Sequence, residues 1–233
     1  MPVKTKISPE LTGNQLKIIA LVAMTCDHVG LQLFPRVAAL RIIGRLALPI
    51  FAYMIAEGCR YTRDRKKYLL RLAALAAVCQ VVYFVAMRSL YQCIMVTFSL
   101  SVCLIWLIER ALEEKGILWK ALAALGAATG YLLCEILPGL LPGTDFAIDY
   151  GFCGVMLPVL AYFGGNLRQK VLLMGAGLVL LALDFGGIQW WAITALPLLA
   201  LYNGKRGKRR IGTFFYLYYP LHLAVIYGIS MLL

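Results

Sequence analysis

Lys17, Asp27 and His28 stand in "KIIALVAMTCDHVG", residues 17 to 30, a stretch that is otherwise apolar. Ionisable side chains inside such a run are costly and by default mark functional sites. Lys17 and His28 are eleven residues apart. At about 100° per residue, that spacing returns to within about 20° of one helix face and covers roughly 16 Å along the axis. A cation at the mouth of a helix and an imidazole deeper in suit a long, thin ligand with phosphates at one end and a reactive tip at the other. Coenzyme A has that shape. A lysine that snorkels to the headgroups and a histidine that bonds a neighbouring helix fit the same spacing.

Asp27 lies about 100° round the helix from His28, so its partner is expected on another helix. "RIIGRLALPIFAYMIAEG", residues 41 to 58, offers Arg45 one turn before Pro49, Gly44 for close helix approach, and Glu57 near the cytoplasmic end. An Asp27 to Arg45 ion pair with a purely structural role is the plain alternative to a site. Further on, "TDFAIDYGFCGV" brings Asp149 and Tyr150 in from the outer side, with Gly151 and Gly154 suited to a tight helix contact. "TFFYLYYPLHL" places His222 just after Pro220, where a kink frees carbonyls and lets polar groups cluster. An intramembrane histidine needs a hydrogen-bond partner. Tyr216, Tyr218 and Tyr219 fit an interfacial aromatic belt.

The elements that must hold these residues are membrane helices. The chain is 62% hydrophobic and 15% charged with mean hydropathy +0.80, against about 25% charged residues in an ordinary globular domain. Its apolar runs are continuous, which excludes alternating barrel strands. Nine spans are expected, at about 16–34, 37–58, 67–87, 92–109, 119–141, 146–165, 169–184, 188–203 and 213–232. The Lys and Arg residues of "CRYTRDRKKYLLR", "ERALEEKGILWK", "NLRQK" and "NGKRGKRR" fall on one side with Lys4 and Lys6, and the opposite loops hold only Arg36 and Arg88. By the positive-inside rule the N-terminus is cytoplasmic. The expected fold is an all-α polytopic membrane bundle forming a single domain over 1–233, with no cleavable signal peptide. The net charge of +12 is thus a topology and lipid-headgroup signal, not one for nucleic acid. Seven cysteines stand singly with no C-x-x-C pair, so neither a metal site nor a disulfide framework is expected.

Taken in order, "LKIIALVAMTCDHVG", "IGRLALPIFAYMIAEGCRYTRDRKKYLLRL", "VTFSL", "DYGFCGVMLPVLAY" and "FFYLYYPLHL" resemble the TraX family, whose founding members are named for N-terminal acetylation of conjugative pilin. Lys17-x10-His28 also resembles the basic-x10-His motif of the wider membrane acyltransferases, whose histidine is regarded as catalytic. One departure is the "YQCIMVTFSL" segment, where Gln92 and Cys93 stand near the place of an asparagine expected in many relatives.

The resemblance implies an integral-membrane acyltransferase of the bacterial cytoplasmic membrane. Acetyl-CoA, or another acyl-CoA, would be the donor substrate, with no resident cofactor. The acceptor would be an amine or hydroxyl on a pilin-like peptide or an envelope glycan or small molecule. In that mechanism His28 is the general base or an acylated nucleophile, Asp27 orients it or balances Arg45, and Arg45 steadies the oxyanion. Lys17, Arg63, Arg65, Lys66 and Lys67 would attract the CoA phosphates. Glu57, Asp149, Tyr150, Tyr219 and His222 are further candidates. A different class, a proton-coupled carrier, would use Asp27, His28, Arg45, Glu57, Glu135 and His222 as a relay. A third, haem binding, would use His28 and His222 as a bis-imidazole pair.

Overall fold

The structure, a computed structural model, describes residues 10–114, 116–208 and 212–232, apart from the side chains of Ala86, Thr213 and Tyr216. Lys4 and Lys6, with Arg209 and Arg210 of the last basic loop, lie outside the described residues, as does the side chain of Tyr216. The described chain is helical, with two isolated parallel bridges, Leu11 to Tyr202 and Gln92 to Ile148, in place of strands. It divides into two compact units, one of residues up to 54 together with 164 onward, the other of residues 55–163.

The first unit holds α1 (Gly13–Gln32), α2 (Ala38–Gly44), the opening turns of α3 (Ala47–Tyr61), and α9 (Leu167–Phe185). It ends with a 3-10 stretch (Gly187–Ala195), α10 (Leu196–Ala200) and α11 (Gly212–Ser230). The start of α1 is written in "TGNQ". The Thr12 hydroxyl accepts from the Gln15 amide, and Gln15 Oε1 accepts from the Thr12 amide at 2.9 Å, a reciprocal cap for two otherwise orphaned donors. α1 packs on both α2 and α11, and the 3-10 stretch packs on α2 and α9. Leu16, Ala20, Met174, Leu178, Leu181 and Leu199 fill its core, all fully buried.

The second unit holds the rest of α3, then α4 (Arg65–Met87), α5 (Ile94–Glu113) and α6 (Ile117–Tyr131). A π turn (Leu132–Ile136), α7 (Leu137–Leu140) and α8 (Gly151–Phe163) follow. α5 is its axis, packing on α4, α6 and α8 around Phe98, Val102, Ile105 and Val155. Asp64 caps α4 by accepting from the Lys67 amide at 3.0 Å. Leu70, Val78, Val81 and Val85 on α4, with Leu118 and Leu125 on α6, point outward, as lipid-facing residues do.

The all-helical expectation holds, but the count of nine spans does not. Among the described residues four helices are long and apolar enough to cross a membrane: Ala38–Tyr61, Arg65–Val85, Ile94–Glu113 and Ile117–Leu140. The proposed 146–165 span contains a helix of only 13 residues, Gly151–Phe163, about 20 Å long against a hydrocarbon core of about 30 Å. The 188–203 span is a 3-10 stretch followed by a five-residue helix. α9 has the length, at 19 residues, but carries Arg168, Lys170 and Asp184. The expected second span is bent at Arg45 and Leu46, where α2 gives way to α3.

Gly44 earns its place at that bend. A β-carbon there would run into the side chain of Asp27, its Oδ1 first and then its Cβ and Cγ, so the carboxylate reaches its partners only because residue 44 lacks a side chain. Gly30 similarly admits Leu40, whose Cβ would lie 2.8 Å from an added β-carbon. Gly44→Ala is expected to destabilise the folded protein by about 1–3 kcal/mol, the range for overpacking a filled site. A thermal melt in detergent beside wild type measures it, and an unchanged melting temperature would refute the packing role.

Candidate functional site

Three helices of the first unit converge on one polar centre. On α1, Thr25 and His28 are three residues apart and share a face, and on α11, Tyr218 and His222 are four apart and do the same. The two faces meet in register. Thr25 Oγ1 lies 2.8 Å from the Tyr218 hydroxyl, and Nδ1 of His28 lies 2.8 Å from Nε2 of His222. The two imidazole planes are within 9° of parallel. Tyr218 stacks on the His222 ring at 5.2 Å between centroids, and the buried Tyr219 meets its face from the side at 5.5 Å.

Donor and acceptor roles follow from the chemistry of each group. His222 Nδ1 lies 3.0 Å from the Tyr218 carbonyl, which only accepts, so that nitrogen carries a proton. In a neutral His222, Nε2 is then the acceptor and the proton between the rings belongs to His28 Nδ1. A neutral His28 therefore keeps its lone pair on Nε2. The hydroxyl pair resolves in the same way. Thr25 donates to the Leu21 carbonyl at 2.9 Å, so the Tyr218 hydroxyl must donate to Thr25. His222 is buried at 6% exposure while His28 is half-buried, which leaves His28 as the accessible member.

Beside this pair lies an ion network. Arg45 Nη2 donates to Asp27 Oδ1, and Arg41 Nη1 donates to Asp27 Oδ2 at 2.7 Å and to the Asp27 carbonyl at 3.3 Å. Arg45 Nη1 also donates to Gln189 Oε1 at 3.0 Å. A guanidinium only donates, so the Gln189 oxygen must face it and the amide nitrogen must face away. That nitrogen is buried with no hydrogen-bond partner among the described residues. Two guanidiniums thus converge on the one carboxylate of Asp27.

The structure thus brings Asp27, Arg45, His28 and His222 into one unit and gives Asp27 the cation anticipated for it. Arg41, Gln189 and Thr25 were not anticipated, and Tyr218, expected in an interfacial aromatic belt, instead packs on His222 and bonds Thr25. A signal existed for Arg41, since "RIIGR" sets two arginines one helical turn apart. None existed for Gln189, which a 3-10 stretch 144 residues from Arg45 delivers. The haem reading does not fit, because His28 Nδ1 and His222 Nε2 lie 2.8 Å apart, which leaves no room for an iron between the two rings.

Lys17 lies half-buried near the start of α1. The other candidates belong to the second unit. Arg65 is engaged with Glu109 at 2.6 Å, and Glu109 accepts from the Tyr162 hydroxyl at 2.5 Å. Lys67 pairs with Asp64 at 3.2 Å, and its amide and ammonium hold the Asp64 carboxyl below the usual carboxylate range. Arg63 and Lys66 lie beside them at the start of α4, Arg63 exposed. Glu57 is buried on α3. Asp149 accepts from the Tyr91 hydroxyl at 2.6 Å, and Tyr150 and Gly151 both take left-handed backbone, φ 60° and 55°, to turn the chain into α8. Glu135, in the π turn, accepts from the Phe152 amide at 2.7 Å. Gly154 brings α8 close to α5, where an added β-carbon would lie 3.2 Å from Thr97 Cγ2.

Apolar helices able to cross a bilayer and a charged, histidine-bearing centre define a helical membrane protein with a polar site in its fold. The chain belongs to the TraX family, whose description, TraX protein, matches residues 12–230. It is 29% identical over 253 residues to the probable fimbrial assembly protein FimC, serogroup H1, of Dichelobacter nodosus, covering 96% of this chain and 98% of that protein. A 38-residue segment is 53% identical to an uncharacterized protein of Rickettsia prowazekii (strain Madrid E), covering 16% of this chain and 15% of that one. No solved structure matches.

Proposed function

We propose that the protein is a multi-pass acyltransferase of the bacterial cytoplasmic membrane that moves an acetyl or other short acyl group from cytoplasmic acyl-CoA to an amine or hydroxyl. The observation that carries this reading is the His28–His222 pair, whose proton order leaves the lone pair of His28 on Nε2.

In the proposed reaction His28 Nε2 takes the proton of the acceptor N–H or O–H as its lone pair attacks the thioester carbonyl. Charge then builds on the carbonyl oxygen, and the guanidiniums of Arg41 and Arg45 supply a field that favours it. Collapse breaks the C–S bond, and the proton held on His28 passes to the departing thiolate, giving free CoA and the acylated acceptor. His222 keeps its own proton on Nδ1, donated to the Tyr218 carbonyl, throughout and fixes which nitrogen of His28 reacts. The fimbrial name of the Dichelobacter relative supports a pilin-like N-terminus as one acceptor class, beside envelope glycans and small molecules.

The test is release of CoA thiol from acetyl-CoA by detergent-purified protein, with and without membrane and cell-wall extracts. Thiol release that requires extract is the expected result and allows fractionation toward the acceptor. Substrate-dependent proton movement in liposomes with no acetyl-CoA consumption would overturn it in favour of a carrier.

A further inference from the structure

Residues 201–208 form a basic strap tied to the mouth of the helix that carries His28. The Leu11 amide donates to the Leu201 carbonyl at 2.9 Å and the Asn203 amide to the Leu11 carbonyl at 2.9 Å. The Gly13 amide donates to the Lys205 carbonyl at 2.8 Å and the Asn14 amide to the Arg206 carbonyl at 2.9 Å. Gly204 and Gly207 turn the strap with positive φ, 73° and 97°, and a β-carbon on Gly207 would lie 2.9 Å from Asn14 Nδ2. The strap's backbone is thus fixed against α1, and the first amides of that helix are already spent on it.

What remains for a ligand is side-chain charge. Lys205, Arg206 and Lys208 are exposed on the strap, and Lys17 lies one turn into α1, near enough to Arg206 for their charges to repel. The Arg206 guanidinium reaches the opening of α11, 3.8 Å from where a β-carbon on Gly212 would stand. Among the described residues none of these four side chains has an ion pair, and Glu10, the acid beside the strap, is exposed and pairs with none of them. Four cations gathered by a fixed loop without acids to neutralise them make a field that a phosphate relieves.

The position on the two helices is the decisive part. Lys17 precedes His28 by eleven residues on α1, and Gly212 precedes His222 by ten on α11, about 16 and 15 Å of rise respectively. The histidines touch, so the two helices run side by side in the same direction from strap to histidine pair. A ligand seated on the strap and reaching His28 must be thin and about that long.

We infer that Lys17, Lys205, Arg206 and Lys208 form a phosphate-binding site at the mouth of the α1–α11 seam, which takes the phosphorylated nucleotide end of the acyl donor. The naming of the donor rests on the acyl-transfer reading. An anionic lipid headgroup offers the same phosphate chemistry.

The experiment is titration of the full chain in phosphatidylcholine nanodiscs with adenosine 3′,5′-bisphosphate, repeated in discs containing phosphatidylglycerol. The variants are Lys205→Gln with Arg206→Gln, and Arg206→Lys. Wild type is expected to bind the bisphosphate in both kinds of disc, the double variant about 10- to 100-fold more weakly, and Arg206→Lys within about threefold of wild type. Probe binding that phosphatidylglycerol displaces, through a strap-dependent effect, would keep the phosphate site and overturn its assignment to the donor. Equal binding by wild type and double variant, or no effect of either phosphate source, would overturn the site. Strap-dependent bisphosphate binding without thiol release from acetyl-CoA would retain the site while removing the acyl-transfer reading.

Discussion

His28→Ala is expected to abolish thiol release from acetyl-CoA, by about 10²- to 10⁴-fold, while leaving the amount of folded, purified protein near that of wild type. That size is what a positioned general base contributes. The loss of folding energy should stay at about 1–3 kcal/mol, because the bond lost is a neutral one although it leaves the buried His222 Nε2 without its donor. His222→Ala removes no atom that touches substrate. It frees His28 to adopt either tautomer, so activity should fall less steeply than in His28→Ala and shift its pH profile, a change that a merely structural residue would not produce. Most of the activity surviving in His28→Ala would refute the assigned base.

The largest effect on stability is expected from Asp27. Asp27→Ala leaves Arg41 and Arg45 facing each other with no carboxylate between them, and breaking a buried ion network from one side costs about 3–5 kcal/mol. The two arginines should respond unequally. Arg45 has a side chain 8% exposed and Arg41 one 23% exposed, so Arg41 can rehydrate more of its charge. Arg41→Ala should therefore be the milder of the arginine variants, and Arg45→Ala should also strip Gln189 Oε1 of its donor. Denaturation in detergent, read by intrinsic fluorescence, orders the series. An Asp27→Ala protein that unfolds with wild type would refute the network as a stabilising element.

Much of this molecule was legible before its structure because local physics writes it locally. Continuous apolar runs required helices, and the spacing of Lys17 to His28 placed both on one face. Asp27 pointed away from His28, and Gly44 beside Arg45 anticipated where its partner would come from, since α1 and α2 are joined by a short connection that returns one against the other. The number of crossing helices was not legible. Hydropathy runs through Gly151–Phe163 and Gly187–Ala200 without a break, whereas helix length and 3-10 geometry are set by how those segments pack.

The site divides along the same line. The sequence determined which residues could do chemistry and which helix face each occupies, because periodicity fixes side-chain direction within one element. Only the tertiary structure decided that His28 meets His222 across 194 residues, that Gln189 reaches Arg45, and that the strap bearing Lys205 and Arg206 lies at the mouth of α1 rather than elsewhere. Spacing along a chain carries no information about which distant faces are brought together. That choice belongs to the packing of α1, α2, α11 and the 3-10 stretch, where small residues such as Gly30 and Gly44 let backbones approach and buried polar groups must find partners.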